Sequence, residues 1–142
     1  MKTKFTLKTI ILSLLLMAAG GTAFAQCDKT ATFSAATTNY LNDKGVVERT
    51  KDEETVVTLN KKSINITTGG NHELTGAVKT YTCNWATPYK TGKTVITTLI
   101  TDGGRDMNAT VTIEGKDGKV TLTFEAIEMP NKKIQLLADK FE

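Results

Sequence analysis

The stretch that most constrains the fold is a pair of segments in which apolar and polar residues alternate, Met107–Glu114 and Lys119–Ala126. A period of two is typical of half-buried strands. Between the segments stand Asp117 and Gly118, a favoured pair for a two-residue turn because both central positions need positive φ. The turn and the alternation agree on one antiparallel register. That register predicts three facing apolar pairs: Ile113 with Leu122, Val111 with Phe124, and Ala109 with Ala126.

The remaining chain after Ala25 also has the composition of a β domain. Threonine accounts for 22 residues there, and this β-branched, half-polar side chain suits the solvent face of a sheet and disfavours helix. No segment shows helical periodicity with caps. We therefore predict an all-β domain of about eight or nine strands, built either as a small antiparallel meander barrel or as a two-sheet sandwich.

Further segments give more detailed expectations. Glu54–Leu59 and Ser63–Thr68 alternate and predict a second hairpin, in which Val57 faces Ile66 and Leu59 faces Ile64. Lys51–Glu54 would be an exposed charged tip before it. Thr94–Thr101 is apolar on both faces, which predicts a central strand covered on both sides. Thr101–Asp106 contains two glycines and predicts a long loop.

Residues 1–25 have the features of an export signal. Three lysines precede the apolar run Ile10–Ala19, and Ala23-Phe24-Ala25 matches a cleavage site. The run is shorter than the roughly 20 residues of a membrane span, so we expect no span. We predict a signal peptide over 1–25 and one antiparallel β domain over 26–142, in the periplasm or outside the cell. A lipid-anchored form acylated at Cys27 is the alternative, disfavoured because Gln26 precedes the cysteine.

Charge balance argues against polyanionic partners. The signal carries three of the 18 basic residues and none of the 15 acidic ones, so the remaining domain is neutral. A neutral domain without a basic cluster gains little from counter-ion release. We expect neither a nucleic acid nor an anionic surface as partner. An outer-membrane barrel would need an outward apolar band with aromatic girdles, which these threonine- and charge-rich faces do not supply.

Cys27 and Cys83 are the only cysteines. In an oxidising, exported setting such a pair predicts a disulfide. It would close a loop of roughly 57 residues and contribute about 4 kcal/mol in the chain-entropy model. The alternative is two free thiols, one of them reactive.

Residues able to carry catalysis are sparse. His72, the only histidine, stands beside glycines and indicates an exposed loop. The consecutive acids Asp52–Glu54 have the pattern of a solvated turn, although a carboxylate pair can hydrolyse glycosides. Asp102–Asp106 combines carboxylates with glycines and indicates either a flexible hairpin loop or a Ca²⁺ site. We expect no enzyme activity, no metal and no cofactor.

Aromatic residues give the best candidate for binding. Tyr81 and Trp85 alternate onto one face with Cys83, and Tyr89 follows beyond Pro88. Tyrosine and tryptophan join a broad apolar face to one hydrogen-bonding group, which suits a lipid, a sugar or a partner surface. We therefore predict a ligand site at Tyr81, Trp85 and Tyr89. The alternative is that Trp85 packs against the Cys27–Cys83 bond in the core.

The export signal, the strand meander, Trp85 and the Asp117-Gly118 hairpin together resemble those of small exported lipocalin-like β-barrel proteins of Bacteroidota. The resemblance implies a small antiparallel barrel with an apolar ligand cavity. The first strand lacks the Gly-x-Trp motif of lipocalins, and no C-terminal helix is predicted.

Two functions follow from the sequence. The first is a non-enzymatic binding module for a small apolar molecule or a glycan. The second is a structural or interaction protein, such as an inhibitor or an accessory subunit, that acts through a sheet edge or through the loops Gly69–His72 and Thr101–Asp106.

Overall fold

The computed structural model describes residues 26–142; the predicted export signal lies outside this range. Every regular element in the range is a strand, and none of these residues forms a helix able to cross a membrane. The strands are β1 Ala31–Asn42, β2 Val47–Leu59, β3 Ser63–Thr68, β4 His72–Thr87, β5 Thr91–Asp102, β6 Arg105–Lys116, β7 Lys119–Ala126, β8 Lys132–Leu137 and β9 Lys140–Phe141.

The strands form a closed barrel. Each of β1 to β8 pairs antiparallel with the next, and β8 pairs back onto β1, which closes an eight-stranded meander. The short β9 adds to the N-terminal half of β1 through Phe33 and Phe141. The prediction of a small meander barrel is confirmed. The sandwich alternative does not apply, because the pairing runs through all eight strands as one sheet and returns from β8 to β1 and β2 without a break.

Both predicted hairpin registers are present. Asp117 and Gly118 have φ of 52° and 78°, as the turn requires. The three predicted pairs of β6 and β7 all face each other, as do Val57 with Ile66 and Leu59 with Ile64. Local alternation and turn chemistry were therefore enough to fix these registers.

Three expectations about individual segments were wrong, two about their boundaries and one about burial. Lys51–Glu54 is part of the continuous β2, because this strand pairs with β1 far past the charged residues. Thr101–Asp106 is no long loop, since only Gly103 and Gly104 leave the strands, both with positive φ. The segment Thr94–Thr101 is buried on its inward side alone, because a barrel has a single layer and no strand among residues 26–142 covers its outer side.

Candidate binding cavity at one end of the barrel

Trp85 lies in the core. Its side chain is 2% exposed and packs on Phe141 with ring centroids 5.5 Å apart. The indole N–H donates to the Thr94 hydroxyl at 2.8 Å, and that hydroxyl lies 3.5 Å from the Cys83 sulfur. A Cβ on Gly115 would stand 2.7 Å from the Trp85 ring, so the ring fills the space that this glycine leaves. We call the end of the barrel that holds Trp85 the closed end.

The other aromatic candidates surround the same end. Tyr81 is half-buried, and burial raises the pKa of its phenol. Tyr89 meets Phe141 edge-on at 5.2 Å and donates its backbone N–H to the Gln26 side chain at 2.7 Å. The Cys27–Cys83 disulfide is confirmed. Trp85 lies in the core, as the alternative predicted, but its ring packs on Phe141 and is linked to Cys83 through the Thr94 hydroxyl. A ligand role for Tyr81, Trp85 and Tyr89 stays a prediction.

An apolar cavity of about 80 Å³ lies at the other end of the barrel, which we call the open end. The two ends of the barrel are marked by residues near the two ends of β4: Leu74 lines the cavity, and Trp85 fills the closed end. The cavity walls are inward-facing apolar residues of five strands: Val57, Ile66, Leu74, Leu122, Phe124, Ile134 and Leu136. Its polar lining consists of Thr38, Glu53, Thr55 and Thr68. Tyr81, Trp85 and Tyr89 are not among the lining residues.

Two of the lining hydroxyls have no partner. Thr38 and Thr55 are each 3% exposed, and neither Oγ1 makes a hydrogen bond within residues 26–142. Buried hydroxyls are normally paired, because an unpaired one keeps its full desolvation cost. Thr98, buried to a similar degree, donates to the Ala77 carbonyl at 2.8 Å. The cavity thus offers donors and acceptors that the chain itself leaves unused.

A buried carboxylate lies beside these hydroxyls. The Glu53 side chain is 9% exposed, accepts from the Tyr40 hydroxyl at 2.9 Å and contacts the Lys51 ammonium at 2.6 Å. The hydrogen bond from Lys51 is the main cause that lowers the pKa of Glu53. Burial, followed by the bond to Glu53, raises the pKa of Tyr40. Arg49 stacks over the Tyr40 ring at 4.3 Å, so a network of charged and aromatic groups borders the cavity.

The lowered pKa of Glu53 predicts a loss of stability in acid. A carboxyl whose pKa is lower in the folded state stabilises the fold above its unfolded value of about 4.3, and this contribution fades as pH falls through the folded value. We expect wild type to be more stable than Glu53→Gln at pH 6, with the difference shrinking between about pH 4.5 and pH 2. Urea denaturation across this range measures it.

Glu114→Gln is the control for this experiment. Glu114 is half-exposed and lies 3.9 Å from Lys93, and such surface pairs contribute little. A Glu53→Gln difference that stayed constant down to pH 2 would contradict the prediction.

The remaining sequence candidates are scattered. His72 is 59% exposed and lies 3.4 Å from Asp102. Asp106 accepts from the Thr101 hydroxyl at 2.7 Å. No group of three or more potential metal ligands occurs within residues 26–142. Of the three consecutive acids Asp52–Glu54 on β2, only Glu53 lines the cavity.

The residues that line the cavity were not predicted as a site from the sequence. Alternation placed the lining residues of the two predicted hairpins, Val57, Ile66, Leu122 and Phe124, on apolar faces, but gave no sign of a void beside them. The polar lining residues and Leu74 had no such signal. Comparison with known protein families, curated proteins and solved structures finds no match to this chain. The resemblance to lipocalin-like barrels therefore stays a prediction.

Proposed function

We propose that this chain is an exported, non-enzymatic binding protein that takes a small apolar group bearing a hydroxyl into the open end of its barrel. The observation that carries the proposal is the coincidence of apolar walls with two buried, unpartnered hydroxyls, those of Thr38 and Thr55. An apolar wall favours an alkyl or aromatic group over a sugar, whose hydroxyls need many partners.

The volume of the cavity limits the ligand. Pockets for drug-sized molecules measure about 300–1,000 Å³, whereas this one holds about 80 Å³. The ligand is therefore either a molecule of a few carbon atoms or a larger one that inserts a single group. In the second case the remainder would lie against Tyr40, Lys51 and Arg49 outside the cavity.

The orientation of the ligand follows from the lining. A ligand hydroxyl near Thr55 would satisfy the threonine oxygen, and its alkyl part would contact Ile66 and Leu74. The Thr38 hydroxyl lies near the Glu53 carboxylate and adds to the lowering of its pKa, although it does not reach hydrogen-bond geometry. A ligand hydroxyl placed between Thr38 and Thr55 would give both threonine hydroxyls a hydrogen-bond partner.

Thr55→Val tests the proposal. This nearly isosteric change removes an unpaired hydroxyl, so we expect the free energy of unfolding to rise by about 1 kcal/mol. Binding of 1-butanol should weaken by about fivefold, the value of one net hydrogen bond, whereas binding of 1-chlorobutane should not change. Titration followed by the NMR shifts of the Ile66 and Leu74 methyl groups measures both.

Thr98→Val is the matched control, because the hydroxyl it removes is already bonded to Ala77. It should lower stability by about 1 kcal/mol and leave butanol binding intact. The proposal is wrong if neither butanol nor chlorobutane shifts the two methyl signals at saturating concentration.

A further inference from the structure

The N-terminal half of β2 has a free edge. β2 pairs with β1 from Val47 to Leu59 but with β3 only from Thr55 to Leu59. No strand among residues 26–142 pairs with the other edge of Val47–Glu54. We call this segment the β2 edge. An open strand edge presents backbone donors and acceptors to an incoming strand.

The backbone groups that face outward along this edge can be assigned. The Gly69 N–H donates to the Glu54 carbonyl at 2.9 Å, so Glu54 bonds on the β3 side. Within the regular stretch Arg49–Asp52, the backbone groups of successive residues point alternately to β1 and to the open side, so two of these four residues offer free groups to an incoming strand. The pairing of β2 with β1 is regular only over Arg49–Asp52, because a register shift lies on either side of this stretch. The edge therefore fits a short peptide.

The two faces of the β2 edge differ in charge: the outer face carries acids alone, whereas the cavity face carries two cations and Glu53, which pairs with Lys51. Arg49 and Lys51 share the cavity side, because they contact Tyr40 and Glu53 there. Period two puts three acids, Glu48, Asp52 and Glu54, on the outer face. A strand lying alongside therefore meets only carboxylates on the outer face and a net positive charge on the cavity face, where Glu53 already pairs with Lys51.

A second copy of this chain fits the edge poorly. Two identical antiparallel strands related by a two-fold axis place outer residues opposite outer residues. The two registers with the most overlap oppose Glu48 to Asp52 or Glu48 to Glu54, and only the second also gives an attractive pair, Arg49 with Glu53. The two next registers oppose Asp52 to itself or Arg49 to itself. Directly opposed like charges are destabilising, so self-association through this edge is disfavoured.

We propose that the β2 edge binds an extended peptide of a partner protein in which lysine or arginine alternates with small uncharged residues. The basic side chains would face Glu48, Asp52 and Glu54, and the uncharged ones would face Arg49 and Lys51. A continuous basic run is excluded by these two cations. The site lies outside the cavity lining apart from Glu53, and it does not depend on the proposed cavity ligand.

The test uses the exported protein and a fluorescent seven-residue peptide of Lys at odd positions and Thr or Val between. We expect saturable binding by fluorescence anisotropy that weakens as salt is raised. Glu48→Lys with Asp52→Lys should weaken it at least about tenfold, because two attractive cross-strand pairs become repulsive. The control pair Glu114→Lys with Glu125→Lys, on the outer faces of β6 and β7, should leave the affinity unchanged.

Two further peptides separate strand pairing from general charge attraction. A peptide of the same composition with its lysines in one block, and one N-methylated at alternate residues, should both bind at least about tenfold more weakly. Equal binding of either peptide, or no binding of the alternating peptide, overturns the proposal. The double variant Glu48→Lys with Asp52→Lys should bind butanol as wild type does. A failure of the peptide proposal is therefore distinguishable from a failure of the cavity proposal.

Discussion

Replacing Cys27 and Cys83 together by alanine is expected to lower the free energy of unfolding by about 4 kcal/mol. The disulfide joins positions 56 residues apart, so its loss frees a long loop in the unfolded chain. It also releases the N-terminal segment, whose Gln26 side chain accepts from the Tyr89 backbone at the closed end. A loss of this size is a large part of the 5–15 kcal/mol typical of a domain. Urea denaturation followed by circular dichroism measures it.

Lys61→Ala is the matched control for the disulfide variant. Lys61 forms the ion pair with Asp28 that also holds the N-terminal segment, but both side chains are more than half exposed. Such a pair contributes at most about 1 kcal/mol. If the double alanine variant lost no more stability than Lys61→Ala, the disulfide would not be the restraint that we describe.

Trp85→Ala is expected to cost about 3–5 kcal/mol, the usual cost of truncating a buried aromatic residue. The ring fills the closed end against Phe141 and the Gly115 backbone, where little can collapse into the space. Trp85→Phe should cost less, because it keeps most of the packing but loses the bond to Thr94. Urea denaturation of both variants gives the two values.

Thr94→Val isolates the hydrogen bond from the packing. It keeps the ring and removes its acceptor, so we expect a loss of about 1–3 kcal/mol for the buried indole N–H left unpaired. Trp85 is the one tryptophan, and its emission should stay unchanged when butanol fills the cavity at the other end. If Trp85→Ala lowered the free energy of unfolding by less than about 1 kcal/mol, Trp85 would not be the core residue that we describe, and a role as a ligand contact would be favoured.

The sequence was sufficient for features that depend on neighbouring residues. Asp117-Gly118 supplied the positive φ values of a tight turn, and alternation on either side then left one register for β6 and β7. The two cysteines were predicted to pair, and they do. Where charges interrupted the pattern, as at Lys51–Glu54, the prediction of a turn was wrong, because pairing with β1 holds this part of β2 outside the core.

What the sequence determined by itself is the all-β class, the two short-range hairpins and the inward or outward direction of the side chains within them, since a period of two and turn chemistry are local properties. Only the tertiary structure decided that β8 closes onto β1, that β2 keeps a free edge, and that Thr38 and Thr55 line a cavity. These features depend on residues nearly a hundred positions apart. The cavity also depends on the sum of side-chain volumes from six strands, and no local pattern specifies that sum.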